Sequence, residues 1–461
     1  MTPATTQSER IAAWACGPAV EALPAPAVAL IRKAFLDTVA VTLLGSRLEG
    51  PRIIARLEVD RAPRAEASVF GMGCRVDLLG ASLINGSSAH ADIFDDNNGP
   101  MISHPSAPLV SALLPLAQVR GLAGRRVVEG YAVGFEVGVT LGRMLNPTLY
   151  EQGWHATRVL GVIGATAACC RLVGLDPSRT AAALGIAVSM AGSVRQNFGT
   201  TTMALHVGLA ARDAVHAMLL AEAGLTADPA ALEGKYGFFR AFAKRKPDLP
   251  ALGEPFELLD SGIIFKPYPS GAPTLAAVDA ALALRAHPGF DLASIDRITC
   301  LVHPWNAITL REEEPRNPIQ AKVNLRFCVA AALVHGELTY RQFVPDALDD
   351  LRLRSLMQRI HIEISDALPA SDEFPAEVRI TSTDGRVRVE RREVPPGGSL
   401  RPLSEADIVA KLRSCAESRL APAAIDRVIE LVRGLDSLQN VRVLCETLEG
   451  GSANRLSARA V

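Results

Sequence analysis

The segment SAHADIFDDNNGPMISHPSAP, residues 88–108, gathers His90, Asp92, Asp95, Asp96, Asn97, Asn98 and His104 in an otherwise apolar chain. Imidazoles beside carboxylates suit proton transfer near neutral pH, and they also suit metal binding. A calcium loop would place a glutamate at its twelfth position, and none stands there after Asp92. Zinc motifs use closely spaced ligands, whereas His90 and His104 are far apart for a short chelating motif. No metal is therefore expected. Two readings stay open: acidic and amide side chains capping loops, or a catalytic loop. His104-Pro105 just before a helix would put the imidazole beside a positive dipole end, where an anion also settles.

Three further stretches carry similar chemistry. In EQGWHATRVLG (151–161), His155 and Arg158 stand at the start of an apolar helix, suited to a carboxylate. In SVRQNFGTTTMALHVGLAARDAV (193–215), Arg195 and Gln196 precede a Gly-Thr-Thr-Thr turn. The helix after it carries His206 and Arg212. Simple threonine capping and a satisfied core histidine are the plainer readings there. In IIFKPYPSGAPT (263–274), Pro267 and Pro269 fix the backbone around Lys266 and Tyr268. This is an expected domain boundary, where small-molecule sites concentrate, although a solvated lysine is the simpler account.

Elements must position these groups. Helical apolar spacing covers 27–45, 127–145, 158–175 and 179–194, and a Ser-capped helix is expected over 106–121. Several of these are apolar nearly all round, as enclosed helices are. After about residue 265 the pattern changes. Segments 296–304, 358–365, 376–383 and 385–394 alternate or are β-branched, with helices at 273–287 and 321–336 between them. The expectation is a mainly α protein with a large all-helical domain, 1–265 and 405–461. A smaller α+β lid, 266–404, carries an antiparallel sheet.

The length of 461 residues exceeds one ordinary core. With 49% hydrophobic and 21% charged residues and a net charge of −1, the chain has neither a disordered signature nor a basic patch. Nucleic acid and membrane are poor partners. The longest apolar runs, such as 159–170, look shorter than the roughly 20 residues a bilayer span requires. The N-terminus shows no signal-peptide pattern, and Cys169-Cys170 read as inert buried thiols, so a cytoplasmic setting is expected.

Taken together and in order, these stretches resemble the MmgE/PrpD family across nearly the whole chain. The matching text is AHADIFDDN…SHPSAP, GWHATRVLGVIGATAACCRLVGLD, GTTTMALHVGLAARDAV, LAEAGLTADPAALEGKYGFF, KPYPSGAPTLAAVDAAL and AKVNLRFCVAAALVHGEL. The resemblance implies a helical domain with an α+β lid and a homodimer. It implies an interdomain site for small polycarboxylates that works without a metal or organic cofactor. His104, His155, His206 and Lys266 match the pattern. Five positions depart from the lyase members: Ile93 replaces an aspartate, Met203 a lysine, Leu275 a histidine, Phe327 a tyrosine and Asn97 a threonine. Such losses remove acids and cations from dehydration or decarboxylation chemistry. They lean toward an epimerase that removes and returns a proton α to a carboxylate of an iminodisuccinate-like amino polycarboxylate. His104, Lys266, Tyr268 and His155 are then the catalytic candidates. Asn97, Arg158, Arg195, Gln196 and His206 are the substrate-binding candidates. The alternatives are a hydro-lyase or decarboxylase on a 2-methylcitrate- or cis-aconitate-like acid, and a non-catalytic binding paralogue.

Overall fold

The computed structural model describes residues 5–451 except 308, 309, 311, 312, 372 and 399. The ends of the expected helical domain, 1–4 and 452–461, lie outside the described residues. The protein is mainly α, with a small α+β part. One large apolar core gathers the helices of the first half together with Ile408, Leu412, Val428 and Leu444. The C-terminal helices Glu405–Ala416, Pro422–Arg433 and Arg442–Glu449 thus pack on the first core. Ser404 caps the first of them in a reciprocal box with Asp407.

The helices that carry site residues are enclosed, as their all-round apolar sequences require. Leu78–His90 starts at Asp77, whose side chain accepts from the Gly80 amide, and it ends on His90. It lies against Thr202–Glu222 so closely that a Cβ on Gly208 would stand 2.3 Å from the Leu83 carbonyl oxygen. It also touches Ala25–Gly45, where a Cβ on Gly45 would meet the Ser88 carbonyl oxygen at 1.9 Å. Glycine at these two crossings sets how deep His90 sits. The helix Ala156–Val173 is capped by His155, whose ring makes no capping bond and is free for other partners.

Two helices, Ala156–Val173 and Thr202–Glu222, are long and apolar enough to cross a membrane by length and composition. This corrects the reading from run length alone. Most of each apolar stretch, 94% and 67%, is buried inside the protein, the pattern of core helices.

The second core lies under a four-stranded sheet. Strands β1 (Ala67–Val69) and β2 (Cys74–Val76) form a separate hairpin; β3 (Ile295–Val302), β4 (Ile360–Ile364), β5 (Ala376–Ser382) and β6 (Val387–Arg392) form the sheet in the order β4-β3-β5-β6. β3 pairs with β5, and β5 with β6, antiparallel, but β3 and β4 are parallel. The all-antiparallel expectation is corrected here. The connection between β3 and β4 contains the helices Leu325–His335 and Leu351–Gln358, and such a crossover allows parallel pairing. Leu275–Ala286 and Leu325–His335 pack beneath the sheet.

The two cores meet at three buried lysines. Lys411 pairs with Asp37 of the helix Ala25–Gly45 at 2.7 Å and donates to the carbonyls of Phe94 and Lys266. Lys322, from the lid, pairs with Asp92 at 3.2 Å and donates to the Pro269 carbonyl. Lys266 is fully buried and donates to the Ile93 carbonyl at 2.9 Å. Removing one partner of a buried pair leaves an uncompensated charge. Lys411→Met or Asp37→Asn should therefore lower unfolding stability by about 3–5 kcal/mol in denaturant titrations, and a loss below about 1 kcal/mol would contradict this role for the pair.

Candidate active site

The polar segment after His90 folds into a loop tied down on every side. Asn97 exchanges both backbone hydrogen bonds with Ile264, which lies two residues before Lys266. Asn98 pairs with Ser103, and its side-chain oxygen accepts from the Met101 amide. Ser106 is not the cap of the helix Ser106–Arg120, as its sequence position suggested. It lies inside the first turn, where its hydroxyl contacts the Asp96 carboxylate and Tyr131. Burial, with Asp37 and Asp95 nearby, lifts the Asp96 carboxyl to about 8.

A cleft opens over this loop between the two cores. His90, His104, His155 and Lys266 face it, with Asn97 and Tyr150. Its walls are mostly apolar: Ile93, Ile102, Phe198, Met203, Trp305 and Phe374 among them. Five non-glycine residues among those described have positive φ, and three line this cleft: Ile93 at 54°, Ile102 at 48° and Phe374 at 53°. Branched and bulky side chains resist that conformation at roughly 1–2 kcal/mol each. Such strain persists only where surrounding structure over-determines it, and it clusters at functional sites.

The imidazoles form a row. Ring centroids lie 4.7 Å apart for His90 and His104, 5.7 Å for His90 and His155, and 5.3 Å for His155 and His206. His90 Nδ1 is 2.8 Å from Asp95 Oδ2. His104 Nδ1 is 2.6 Å from the Asp96 carbonyl oxygen and 3.5 Å from Asp95. A carbonyl only accepts, so His104 Nδ1 carries the proton and Nε2 keeps its lone pair. Burial, helped by Lys266 and His90 against the pull of Asp95, lowers His104 to about 3. It is therefore a neutral base. His155 and His206 face each other through Nδ1 at 3.1 Å. Burial and the neighbouring rings hold His155 well below its ordinary value, and burial lowers His206 to about 4. One proton shared between two neutral rings satisfies that contact. Burial disfavours the Asp95 carboxylate, but His104, His90 and Lys266 outweigh this and hold it below the usual range. Burial lowers Lys266 to about 8 while Asp95 supports its charge, so it is the cleft's candidate proton donor.

His90, Asp95 and His104 lie close enough to hold a cation. Nδ1 of both rings is already turned to an oxygen acceptor, so this arrangement is one of hydrogen bonding.

Of the sequence candidates, His104, His155, Lys266 and Asn97 meet in the cleft. His206 stands behind His155. The other four fall outside it. Arg158 lies within the helix rather than before it; buried, it turns its Nη2 to Asp213 and the Met190 carbonyl. Arg195 stacks on the Tyr150 ring, 3.6 Å from its centroid, and donates to the Tyr150 carbonyl. Gln196 is exposed on a short 3-10 turn. Tyr268 donates to Asp279 at 3.4 Å within the lid, and burial raises its pKa. Leu275 is likewise buried beside Ala272 and Phe374, and Phe327 in the lid core. Three of the five departures from the lyase pattern, Ile93, Asn97 and Met203, therefore touch the cleft, and Leu275 and Phe327 do not. Of the four that remove an acid or a cation, two lie away from it, which weakens the argument from lost lyase groups.

Other residues of the cleft and its anchors escaped sequence reasoning. Tyr150, Trp305 and Phe374 line the cleft from segments that carry no spacing signal pointing there, and the anchors Asp37, Lys322 and Lys411 sit in helical or capped contexts that give no hint of their reach. At pH 7, long-range 1H–15N spectra should show His104 neutral with its proton on Nδ1, titrating below pH 5; a doubly protonated ring at pH 6 would contradict the geometry.

Comparison with known proteins agrees with this architecture. Residues 9–249 match the MmgE/PrpD N-terminal domain and residues 268–437 the MmgE/PrpD C-terminal domain. The chain is 28% identical over 447 residues to cis-aconitate decarboxylase of Mus musculus, covering 93% of this chain and 91% of that one. It is 27% identical to the Homo sapiens enzyme of that name, covering 93% and 92%, and 24% identical to one from Aspergillus terreus, covering 96% and 95%. With family models for both domains matched over residues 9–249 and 268–437, the chain belongs to the MmgE/PrpD family.

Proposed function

We propose that this protein is a lyase that decarboxylates a small unsaturated carboxylic acid without a metal or organic cofactor. The observation that carries the reading is the pairing of the Lys266 ammonium with neutral His104 in one apolar cleft, each fixed by a carbonyl of the same loop. The names of the relatives support decarboxylation over epimerisation.

The chemistry follows from the environment. A carboxylate placed among Ile93, Met203 and Trp305 loses water, which favours release of neutral CO2. As the C–C bond breaks, its electron pair spreads over the adjoining double bond and remaining carboxylate. Lys266 Nζ delivers a proton to carbon, forming the new C–H bond, and recovers it from solvent. His104 Nε2 accepts a hydrogen bond from a protonated substrate oxygen or takes a proton where one must be removed. His90, oriented by Asp95, holds the next position along the wall.

One observation favours a second reading, the epimerase expected from sequence. Decarboxylation needs one proton donor, whereas this cleft holds both a base and an acid, a pair suited to removing and returning a proton. The reactions separate by product. Release of CO2 from cis-aconitate-like acids supports the lyase. Inversion of a chiral amino or imino dicarboxylate without CO2 supports the epimerase.

Lys266→Met should lower turnover by about 10²–10⁴-fold in protein that circular dichroism shows to be folded at the assay temperature, and near-normal CO2 release in that variant would refute its role. The wild-type kcat/KM should fall as pH rises through about 8, where Lys266 loses its proton. Ile93→Asp would place an anion beside that ammonium and favour its charged form, so the falling limb should move to higher pH. A limb that stays put or moves down would contradict the assignment.

A further inference from the structure

We infer that His206 is a positioning residue: its Nδ1–H donates to Nδ1 of His155, so His155 carries its own proton on Nε2 and offers it to a substrate carboxylate as a neutral donor. This rests on the reading above only in seating an acid in the cleft, not in which bond breaks there. The two rings are held from several sides. His155 caps the helix Ala156–Val173, and its amide donates to the carbonyl of Ser193, itself in left-handed backbone at φ 75°. The Phe198 ring stands edge-on to the imidazole, with 4.8 Å between centroids. His206 reaches it from the enclosed helix Thr202–Glu222, and both histidines are buried. At 3.1 Å the two Nδ1 atoms hold one proton between them.

Two arrangements satisfy that contact, and the surroundings choose between them. If His155 donated, its Nε2 would carry a lone pair. His104 already presents one, because its Nδ1 proton goes to the Asp96 carbonyl. A neutral His90 presents another, because the Asp95 carboxylate accepts from its Nδ1. Three imidazole lone pairs would then meet at a cleft that receives a carboxylate. If His206 donates, His155 turns an N–H to the acid instead. The far side of His206 favours the same choice. Arg158 is buried, with Nε and Nη1 unpartnered among the described residues, and its charge reaches His206. A nearby cation favours the tautomer that keeps a lone pair on Nε2 of His206, which is the one with its proton on Nδ1. Burial, His90 and Arg158 also keep His206 from taking a second proton. The cleft thus holds two imidazoles in opposite tautomers, His104 to accept and His155 to donate.

The test uses the full chain with 15N in the histidine rings. At pH 7, long-range 1H–15N spectra should place the His155 proton on Nε2 and the His206 proton on Nδ1, with His104 in the opposite tautomer to His155. A His155 proton on Nδ1 would overturn the inference. Steady-state CO2 release from cis-aconitate gives a second readout. His206→Leu removes the donor, and KM should rise about 10- to 100-fold, the worth of a hydrogen bond to a charged group, while kcat falls less. His206→Gln, whose amide can donate to the same nitrogen, should recover most of that loss. An unchanged KM in His206→Leu would overturn the inference, and so would equal losses in the two variants, which would mark a structural role alone. If the wild type releases no CO2 from cis-aconitate while the spectra show the Nε2 proton, the lyase reading fails and the donor assignment stands.

Discussion

The structure depends on buried ammonium groups satisfied by backbone carbonyls. A lysine taken out of water must find acceptors or lose its charge. Lys411 finds the Asp37 carboxylate and the carbonyls of Phe94 and Lys266; Lys266 finds Ile93; Lys322 finds Asp92 and Pro269. Three of these bonds, to Phe94, Ile93 and Asp92, tie the loop after His90 to different parts of the chain. The loop cannot shift without leaving a buried charge unpartnered. This explains how Ile93 persists in a conformation that β-branched residues avoid, and why His104 has one fixed tautomer.

The same constraint sets the chemistry. Because Lys266 is anchored through a neutral carbonyl, its charge is only partly offset, and burial lowers its pKa toward the working range of a general acid. His104 is lowered by the same burial and becomes a base. Two groups with opposite natural tendencies are thereby placed in complementary protonation states, a division of roles set by environment rather than residue type.

Much of the fold was legible from periodicity. Enclosed apolar helices and the change of pattern near residue 265 follow local rules, and local rules survive folding. The parallel pairing of β3 with β4 was not legible, because crossover direction is set by packing beyond either strand. In the site, His104, His155 and Lys266 converged as their motifs suggested. Arg158 did not, because its partner Asp213 lies on another helix and sequence gives a guanidinium's presence but not its direction. Tyr268 failed similarly: its prolines fix the backbone, yet the ring turns to Asp279. The anchoring lysines were the largest omission, since nothing around Lys411 distinguishes it from a solvated helical lysine until the Asp37 pair is seen.

The central claim is that Lys266 delivers a proton to the carbon that loses CO2. Its most direct test is single turnover in deuterated water, with product and recovered substrate both examined by NMR. The account predicts CO2 release and one deuterium at the new C–H position, with recovered substrate unlabelled. Deuterium in recovered substrate at the carbon α to a carboxylate, with no CO2, would contradict it and assign the pair to epimerisation instead.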